Sequence, residues 1–328
     1  MNAAVQTIDI EKRFGSLTAV NKINLEIESH EIFGLIGPNG AGKTTLIRML
    51  TTVIPPSDGT AIIAGFDIKA DQDQVRRSIG VVPQATTLDV ELTAWENMEI
   101  YSKYYGVPSE IRKDRIKELL DVVGLRDRAS FTVGSYSGGM KRRLELVRSL
   151  IHRPKVLFLD EPTTGLDPQA RSAVWEYLRS LHEKQDITVV ITTHYLEEAE
   201  SLCRRVAIVD YGKLMALGTP TELKRKVMGG DIVEVEVGVL PNQALEALKN
   251  SKFALEVKKH QNMINVLVKS GAEAVPEIVE TVTRNGGKIR TITLREPTLD
   301  DVFLSFTGRS IREDTGVSNK RFVSSWTR

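Results

Sequence analysis

Apolar positions near the start of the chain fall on a two-residue period. Ile8 and Ile10 alternate with polar neighbours, as do Ile23, Leu25 and Ile27. Alternation of this kind lays one face of a strand on a core. Residues 5–36 therefore read as strands, the last of them the short apolar run Ile32–Ile36, which leads into a glycine-rich loop. Leu46, Ile47 and Leu50 then mark a helix, Pro55-Pro56-Ser57-Asp58-Gly59 a turn, and Ile79–Val82 a buried strand closed by Pro83. From about 85 to 153 the pattern is helical. Thr93 followed by Glu96 is a capping-box start, after which Trp95, Met98, Tyr101 and Tyr105 recur at helical spacing. Ile116, Leu119, Leu120 and Val123 mark a second helix, ended by Gly124. Strands return at Lys155–Leu159 and Thr188–Thr192. Apolar strands alternating with helices predict an α/β domain with a largely parallel sheet.

The pattern changes near Gly229-Gly230-Asp231. Beyond it come an alternating strand (Ile232–Val237), a helix (Ala244–Lys249), a hairpin (Leu255–Val257 with Ile264–Val268), a helix (Pro276–Arg284) and a strand (Ile289–Leu294). The order β-α-β-β-α-β predicts a small α+β, ferredoxin-like domain. The expected division is 1–228, with a helical subdomain at about 85–153, then 229–308, then a polar and mobile tail at 309–328.

Composition narrows the class. Of 328 residues, 41% are hydrophobic and 27% charged, ordinary for a globular protein. Lys and Arg number 44 against 43 Asp and Glu, so there is no basic footprint for nucleic acid and no global field toward anionic lipid. Cys203 is the only cysteine, which excludes an intramolecular disulfide and fits a reducing, cytoplasmic compartment. No apolar run approaches the ~20 residues of a spanning helix, and Met1–Asp9 lacks the features of a signal peptide.

The chemistry begins at Gly37-Pro38-Asn39-Gly40-Ala41-Gly42-Lys43-Thr44, which matches G-x-x-x-x-G-K-[ST] between a strand and a helix. Glycines let backbone N–H groups turn toward phosphate oxygens, and the helix start adds its partial positive charge. Lys43 is expected to reach the terminal phosphates and Thr44 to bind Mg²⁺, with Thr45 in the same first turn. Val156–Leu159 runs into Asp160 and Glu161; adjacent carboxylates at a buried strand end call for a cation or a reacting water. Asp160 is the candidate metal ligand and Glu161 the candidate that orients or deprotonates the water. Ser137 is a plausible N-cap for a helix whose first turn holds Gly138, Gly139, Lys141, Arg142 and Arg143. Three bases there oppose the helix dipole; either they wait for an anion or they lie on a solvated face.

With Tyr136-Ser137-Gly138-Gly139-Met140 in place, residues 5–225 resemble the ATPase subunit of ABC transporters. The resemblance implies the family's P-loop NTPase cassette: a RecA-like core, an antiparallel β subdomain and a helical subdomain. It implies that Ser137, Gly138 and Gly139 cap the γ-phosphate held by a second copy, that Gln84 touches Mg²⁺ and water, and that Asp167 of Gly165-Leu166-Asp167 crosses the dimer interface. It further implies that His194 contacts the γ-phosphate and that Phe14 stacks on adenine. Tyr136 and Met140 stand where Leu and Gln are commoner. That variant, with Glu296-Pro297-Thr298-Leu299-Asp300-Asp301-Val302-Phe303 near the end, resembles the daunorubicin-resistance type. The implied partners are a second copy of the chain and a separate membrane permease that keeps the ATPase at the inner membrane face. The implied task is export of a drug, lipid or other hydrophobic compound. A soluble ABC ATPase acting on ribosomes or DNA is the alternative; it is disfavoured by the single cassette, by the absence of a long insertion between Lys43 and Ser137, and by the neutral charge.

Overall fold

A computed structural model describes residues 3–184, 186–239 and 241–307. The expected tail at 309–328 lies outside the described residues. The chain divides into two compact units, 1–217 and 218–328. The division falls before Gly218 rather than after Met228, because the helix Pro220–Met228 packs on the helix Leu299–Thr307 of the second unit. Gly229, with φ 65°, is the left-handed cap that ends this helix; a helix stop resembles a linker in the sequence.

The first unit contains two sheets. Five parallel strands lie in the order Arg205–Asp210, Ile32–Ile36, Thr188–Thr193, Val156–Asp160, Ile79–Val82, with Lys213–Gly218 outside the first. Ile32–Ile36, Val156–Asp160 and Thr188–Thr193 are buried at every residue. That explains why their middles read as apolar runs without alternation: a parallel strand covered on both faces has no polar side to show. The second sheet is antiparallel, in the order Leu17–Glu28, Ala3–Phe14, Asp58–Ile63, Phe66–Asp67. Here alternation survives, with Ile23, Leu25 and Ile27 inward.

The helical segment comprises Ala94–Tyr104, Ser109–Val122 and Gly138–Ser149. The capping box is formed: Glu96 N donates to Thr93 Oγ1 at 3.1 Å, and Thr93 N donates to Glu96 Oε2 at 2.8 Å. Most of the aromatic stretch is packed. Met98 is buried, Tyr105 stacks on His152 with centroids 3.9 Å apart, and the Arg148 guanidinium lies 4.8 Å from the Tyr101 ring centre. Tyr104 alone of these turns outward, 81% exposed beside exposed Ile100.

The second unit has the expected strand–helix order. Its four-stranded antiparallel sheet runs Ala254–His260, Met263–Val268, Asp231–Val239, Lys288–Arg295, the ferredoxin-like arrangement. Val233, Val235, Val266, Ile278 and Val282 form its core. Its second helix starts at Gly271 rather than Pro276. Gly271 N donates to Asp231 Oδ2 at 2.8 Å and Ala274 enters the core, so the turn ahead of the proline is anchored without the hydrogen bond that proline cannot give.

The segment Glu296–Phe303 is also explained. Thr298 N and Oγ1 donate to Asp301 Oδ2 at 2.8 and 2.9 Å, capping the helix Leu299–Thr307. Arg295 forks onto both oxygens of Asp301 at 2.6 and 3.2 Å and donates to Glu234 at 2.7 Å. Leu299, Val302 and Phe303 of that helix are fully buried. Replacing Asp301 with Ala removes the cap and leaves Arg295 half-paired, so we expect a loss of about 2–4 kcal/mol in the local stability of residues 231–307. Hydrogen exchange of the Lys288–Arg295 amides in the full chain checks this.

Candidate functional site

The strand Ile32–Ile36 ends against the loop 37–42, and local sterics explain its glycines. A Cβ on Gly37 would lie 2.1 Å from Val209 O, and one on Gly42 2.3 Å from Ala19 O, where φ is also +102°. The helix Lys43–Leu50 that follows has no side-chain cap and no acid in its first turn. Its first N–H groups are left for an external anion. Thr44 and Thr45 lie half-buried in that turn, while Asn39 and Gly40 are exposed and Pro38 and Ala41 buried. Lys43 is buried; its Nζ donates to Gly37 O at 2.7 Å and Pro38 O at 3.0 Å.

Opposite this loop stands a compact charge cluster. Lys43 Nζ is 3.8 Å from Glu161 Oε1. Thr44 Oγ1 and Thr192 Oγ1 donate to Asp160 Oδ1 at 3.2 and 2.6 Å. Glu161 Oε2 accepts from Gln84 Nε2 at 3.3 Å and Thr164 Oγ1 at 3.1 Å. His194 Nδ1 lies 3.2 Å from Glu161 Oε1, near enough for charge attraction but off the line of a good hydrogen bond. Gln84, Lys43, Asp160, Glu161 and His194 therefore meet, as do Thr44 and Thr192. Glu161 has φ +48°. A left-handed glutamate costs of order 1–3 kcal/mol, and its backbone is held there by Glu161 N donating to Thr192 Oγ1 at 2.9 Å. Thr44 and Asp160 provide a hydroxyl and a carboxylate, hard oxygens that suit Mg²⁺ when phosphates and water supply the other ligands.

Burial pushes the Glu161 carboxyl up, but His194, Lys43 and Thr164 outweigh it and hold the group below its ordinary value. Burial also lowers the Lys43 ammonium, partly offset by Glu161 and Asp160.

Ser137, Gly138 and Gly139 lie elsewhere on the unit. Ser137 caps its helix by accepting from Met140 N at 3.3 Å. With Gly165, Leu166 and Asp167 these residues line a cavity of about 410 Å³ that no residue of the 37–44 loop touches. Asp167 Oδ1 accepts from Ala170 N at 2.9 Å, fixing that loop to the helix Pro168–Lys184. Phe14 is 50% exposed at the first hairpin, with Lys12 Nζ 5.3 Å from its ring centre.

Within the basic turn, Arg142 departs from both expectations, while Arg143 also lines the cavity beside Ser137. Arg142 is buried and bonded to backbone carbonyls, and Arg143 donates to Val123 O at 2.8 Å. The pattern of bases alone does not reveal this. Thr192 and Thr164 were also missed; short hydroxyl side chains in strands and loops have no motif of their own.

A glycine loop between strand and helix, with paired carboxylates at the end of a parallel strand one strand removed in the same sheet, defines a P-loop ATPase cassette. A family model described as "ABC transporter" matches residues 20–164, and one described as "ATP-binding protein DrrA1-3-like, C-terminal domain" matches 218–307. Linearmycin resistance ATP-binding protein LnrL of Bacillus subtilis is 35% identical over 311 residues, 94% of this chain and all of that protein. Daunorubicin resistance ATP-binding protein DrrA2 of Streptomyces coeruleorubidus is 39% identical over 93% of this chain and 95% of its own length. Nod factor export ATP-binding protein I of Cupriavidus metallidurans is 39% identical over 95% of this chain and all of its own. Among solved structures, a dimeric ATP-binding cassette in a post-hydrolysis state bound to ADP and Pi superposes with TM-score 0.60 at 27% identity, over 66% of this chain and 98% of that one. The chain belongs to the ABC transporter ATP-binding proteins, in the drug-resistance and Nod-factor export branch that carries a DrrA1-3-like C-terminal domain. It is thus the ATP-binding subunit of a transporter. Among its described residues no helix is long and apolar enough to cross a membrane.

Because its partners hold Glu161 ionised, the carboxyl should stay charged as pH falls through the ordinary glutamate range and protonate only below it. Replacing His194 with Ala removes one of those partners and should move the midpoint upward. The carboxyl infrared band lost in Glu161→Gln, followed against pH in wild type and His194→Ala, checks the shift.

Proposed function

We propose that the chain hydrolyses Mg-ATP as a homodimer and thereby drives export of a drug, lipid or other hydrophobic compound through a separate membrane permease. The observation that carries this reading is the separation of two half-sites. Lys43, Asp160 and Glu161 gather at one place, whereas Ser137 and Asp167 line a cavity to which the phosphate loop contributes nothing. Two copies related by a two-fold axis would bring each half-site to the other's complement.

In this reading the backbone of Gly37, Pro38, Asn39, Gly40, Ala41 and Gly42 wraps the phosphates, Lys43 binds their terminal oxygens, Thr45 supports the same turn, and Phe14 stacks on adenine. Thr44, Asp160 and Gln84 hold Mg²⁺, whose charge neutralises the phosphates when bound. Glu161 orients the attacking water and accepts its proton, and the lowered carboxyl pKa keeps it ready to do so. His194 and the partner copy's signature serine and glycines bind the transferring phosphoryl group, and Asp167 crosses between copies. Closure excludes water and strengthens these interactions; loss of the bridging phosphate reopens the dimer. The relatives are named for linearmycin resistance and for Nod factor export at similar identity, so the proposal names a cargo class only. The permease would dock on the helical segment beside Gln84, at Ile100 and Tyr104, keeping the ATPase at the inner membrane face.

Glu161→Gln should bind ATP and accumulate as an ATP-bound dimer while hydrolysis falls ~10²–10⁴-fold, about 3–5 kcal/mol. Single-turnover hydrolysis with light scattering tests both parts, and wild-type turnover would remove Glu161 from the role. Tyr104→Ala should leave folding and basal ATPase within about twofold while transport by the assembled complex falls at least ~10-fold, since surface substitutions cost little stability. Vesicle transport assays beside ATPase rates decide it; undiminished transport moves the dock elsewhere.

A further inference from the structure

The helix that begins after Ser137 carries a buried arginine with no part in the roles above. The Arg142 side chain is 8% exposed and that of Glu145, one turn on, 3%. The guanidinium Nε donates to Pro162 O at 2.7 Å, Nη1 to Pro83 O at 2.7 Å and Glu145 Oε2 at 3.0 Å, and Nη2 to Asp160 O at 3.1 Å. The other Glu145 oxygen accepts from Thr87 N at 2.8 Å. These acceptors are not scattered. Pro83 precedes Gln84, and Asp160 and Pro162 flank Glu161. One side chain therefore pins the backbone on both sides of Glu161 and immediately before Gln84, and these two side chains meet at 3.3 Å.

Stability alone does not account for this choice. A buried ion pair contributes little over a well-packed apolar pair of the same volume. What a guanidinium adds is a rigid planar fork that fixes several acceptors in one geometry. Three carbonyls at the ends of two strands, together with a counter-charge from its own helix, use that property fully. We propose that Arg142 and Glu145 form a positioning pair, which sets Gln84 and Glu161 against each other and fastens both to the helix capped by Ser137. This rests on the proposed roles of Gln84 and Glu161. It adds that the geometry of the hydrolytic carboxylate is set from the helix that faces the second copy.

The test uses the full chain. Arg142→Lys keeps the charge, but its donors diverge from one atom and cannot span all three carbonyls. Its kcat should fall ~10–100-fold, the usual consequence of misplacing a reacting group by about 1 Å, with KM for ATP and nucleotide affinity within about twofold. Glu145→Gln keeps size and an acceptor for Thr87 N, so it should fold even if Arg142→Lys does not, with a smaller kcat loss in the same direction. The deciding measurement is the cycle with Glu161→Gln. A residue that acts through Glu161 should lower the residual hydrolysis of that variant by less than about twofold. An equal fold-loss in both backgrounds, or wild-type kcat in both single variants, overturns the proposal. Wild-type turnover of Glu161→Gln alone would instead overturn the underlying assignment of Glu161.

Discussion

Asp160 and Glu161 terminate a strand that is buried at every residue, and the cost of keeping two carboxylates there organises the cassette. An uncompensated buried ion costs several kcal/mol. Compensation comes from three directions: Lys43 and Thr44 from the helix after the glycine loop, Thr192 and His194 from the end of Thr188–Thr193, and Gln84 from the end of Ile79–Val82. These strands flank the carboxylate strand and run parallel to it. Their carboxyl ends open on a single edge, where open α/β sheets collect their ligands. An antiparallel sheet would have sent alternate groups to opposite edges.

The same constraint explains what could be read in advance and what could not. Parallel buried strands leave unbroken apolar runs, and the phosphate loop leaves glycines wherever a Cβ would strike Val209 O or Ala19 O; both are local signals. The ferredoxin-like order was legible because each element in it carries its own period. Arg142 was not. Apart from Glu145, its partners are backbone carbonyls up to 59 residues away, which any residue type can offer, so the sequence records a base and not the loops it ties together. The domain break was misplaced for a related reason: Gly229 marks a helix end, and only the packing of Pro220–Met228 on the last helix assigns it to the second unit. The helix start at Gly271 was hidden by Pro276, since its real anchor is Asp231, forty residues earlier in the chain.

The second unit repeats the logic of compensated charge. Arg295 is satisfied by Asp301 and Glu234, and Asp301 also caps the helix that buries Phe303. Asp301 of Glu296–Phe303 therefore does structural work, in contrast to the pair at Asp160 and Glu161. The difference lies in the partners. Asp301 is fully engaged by a guanidinium and a helix start, whereas Glu161 is held by a lysine at 3.8 Å, an off-line histidine and two single hydrogen bonds. Such partners keep a carboxylate charged yet leave it able to exchange one contact for another.

That contrast bears on how the cassette could move. Arg142 lies near the start of the helix capped by Ser137, so its three carbonyl bonds hold that end to the ends of the Ile79–Val82 and Val156–Asp160 strands. Farther along, the helix is joined to the aromatic segment by softer contacts: Arg148 against Tyr101, and His152, just beyond the helix, against Tyr105. Ring faces can slide where a forked guanidinium cannot. A push at exposed Tyr104 would therefore rotate the outer helices about a fixed inner turn. Arg148 also donates to Thr87 O at 2.9 Å, so the rotation would act first on the loop after Gln84. In the proposed docking the carboxylate would feel it along two routes, the hydrogen bond from Gln84 and the Thr87–Glu145–Arg142 chain that ends on the carbonyls either side of Glu161.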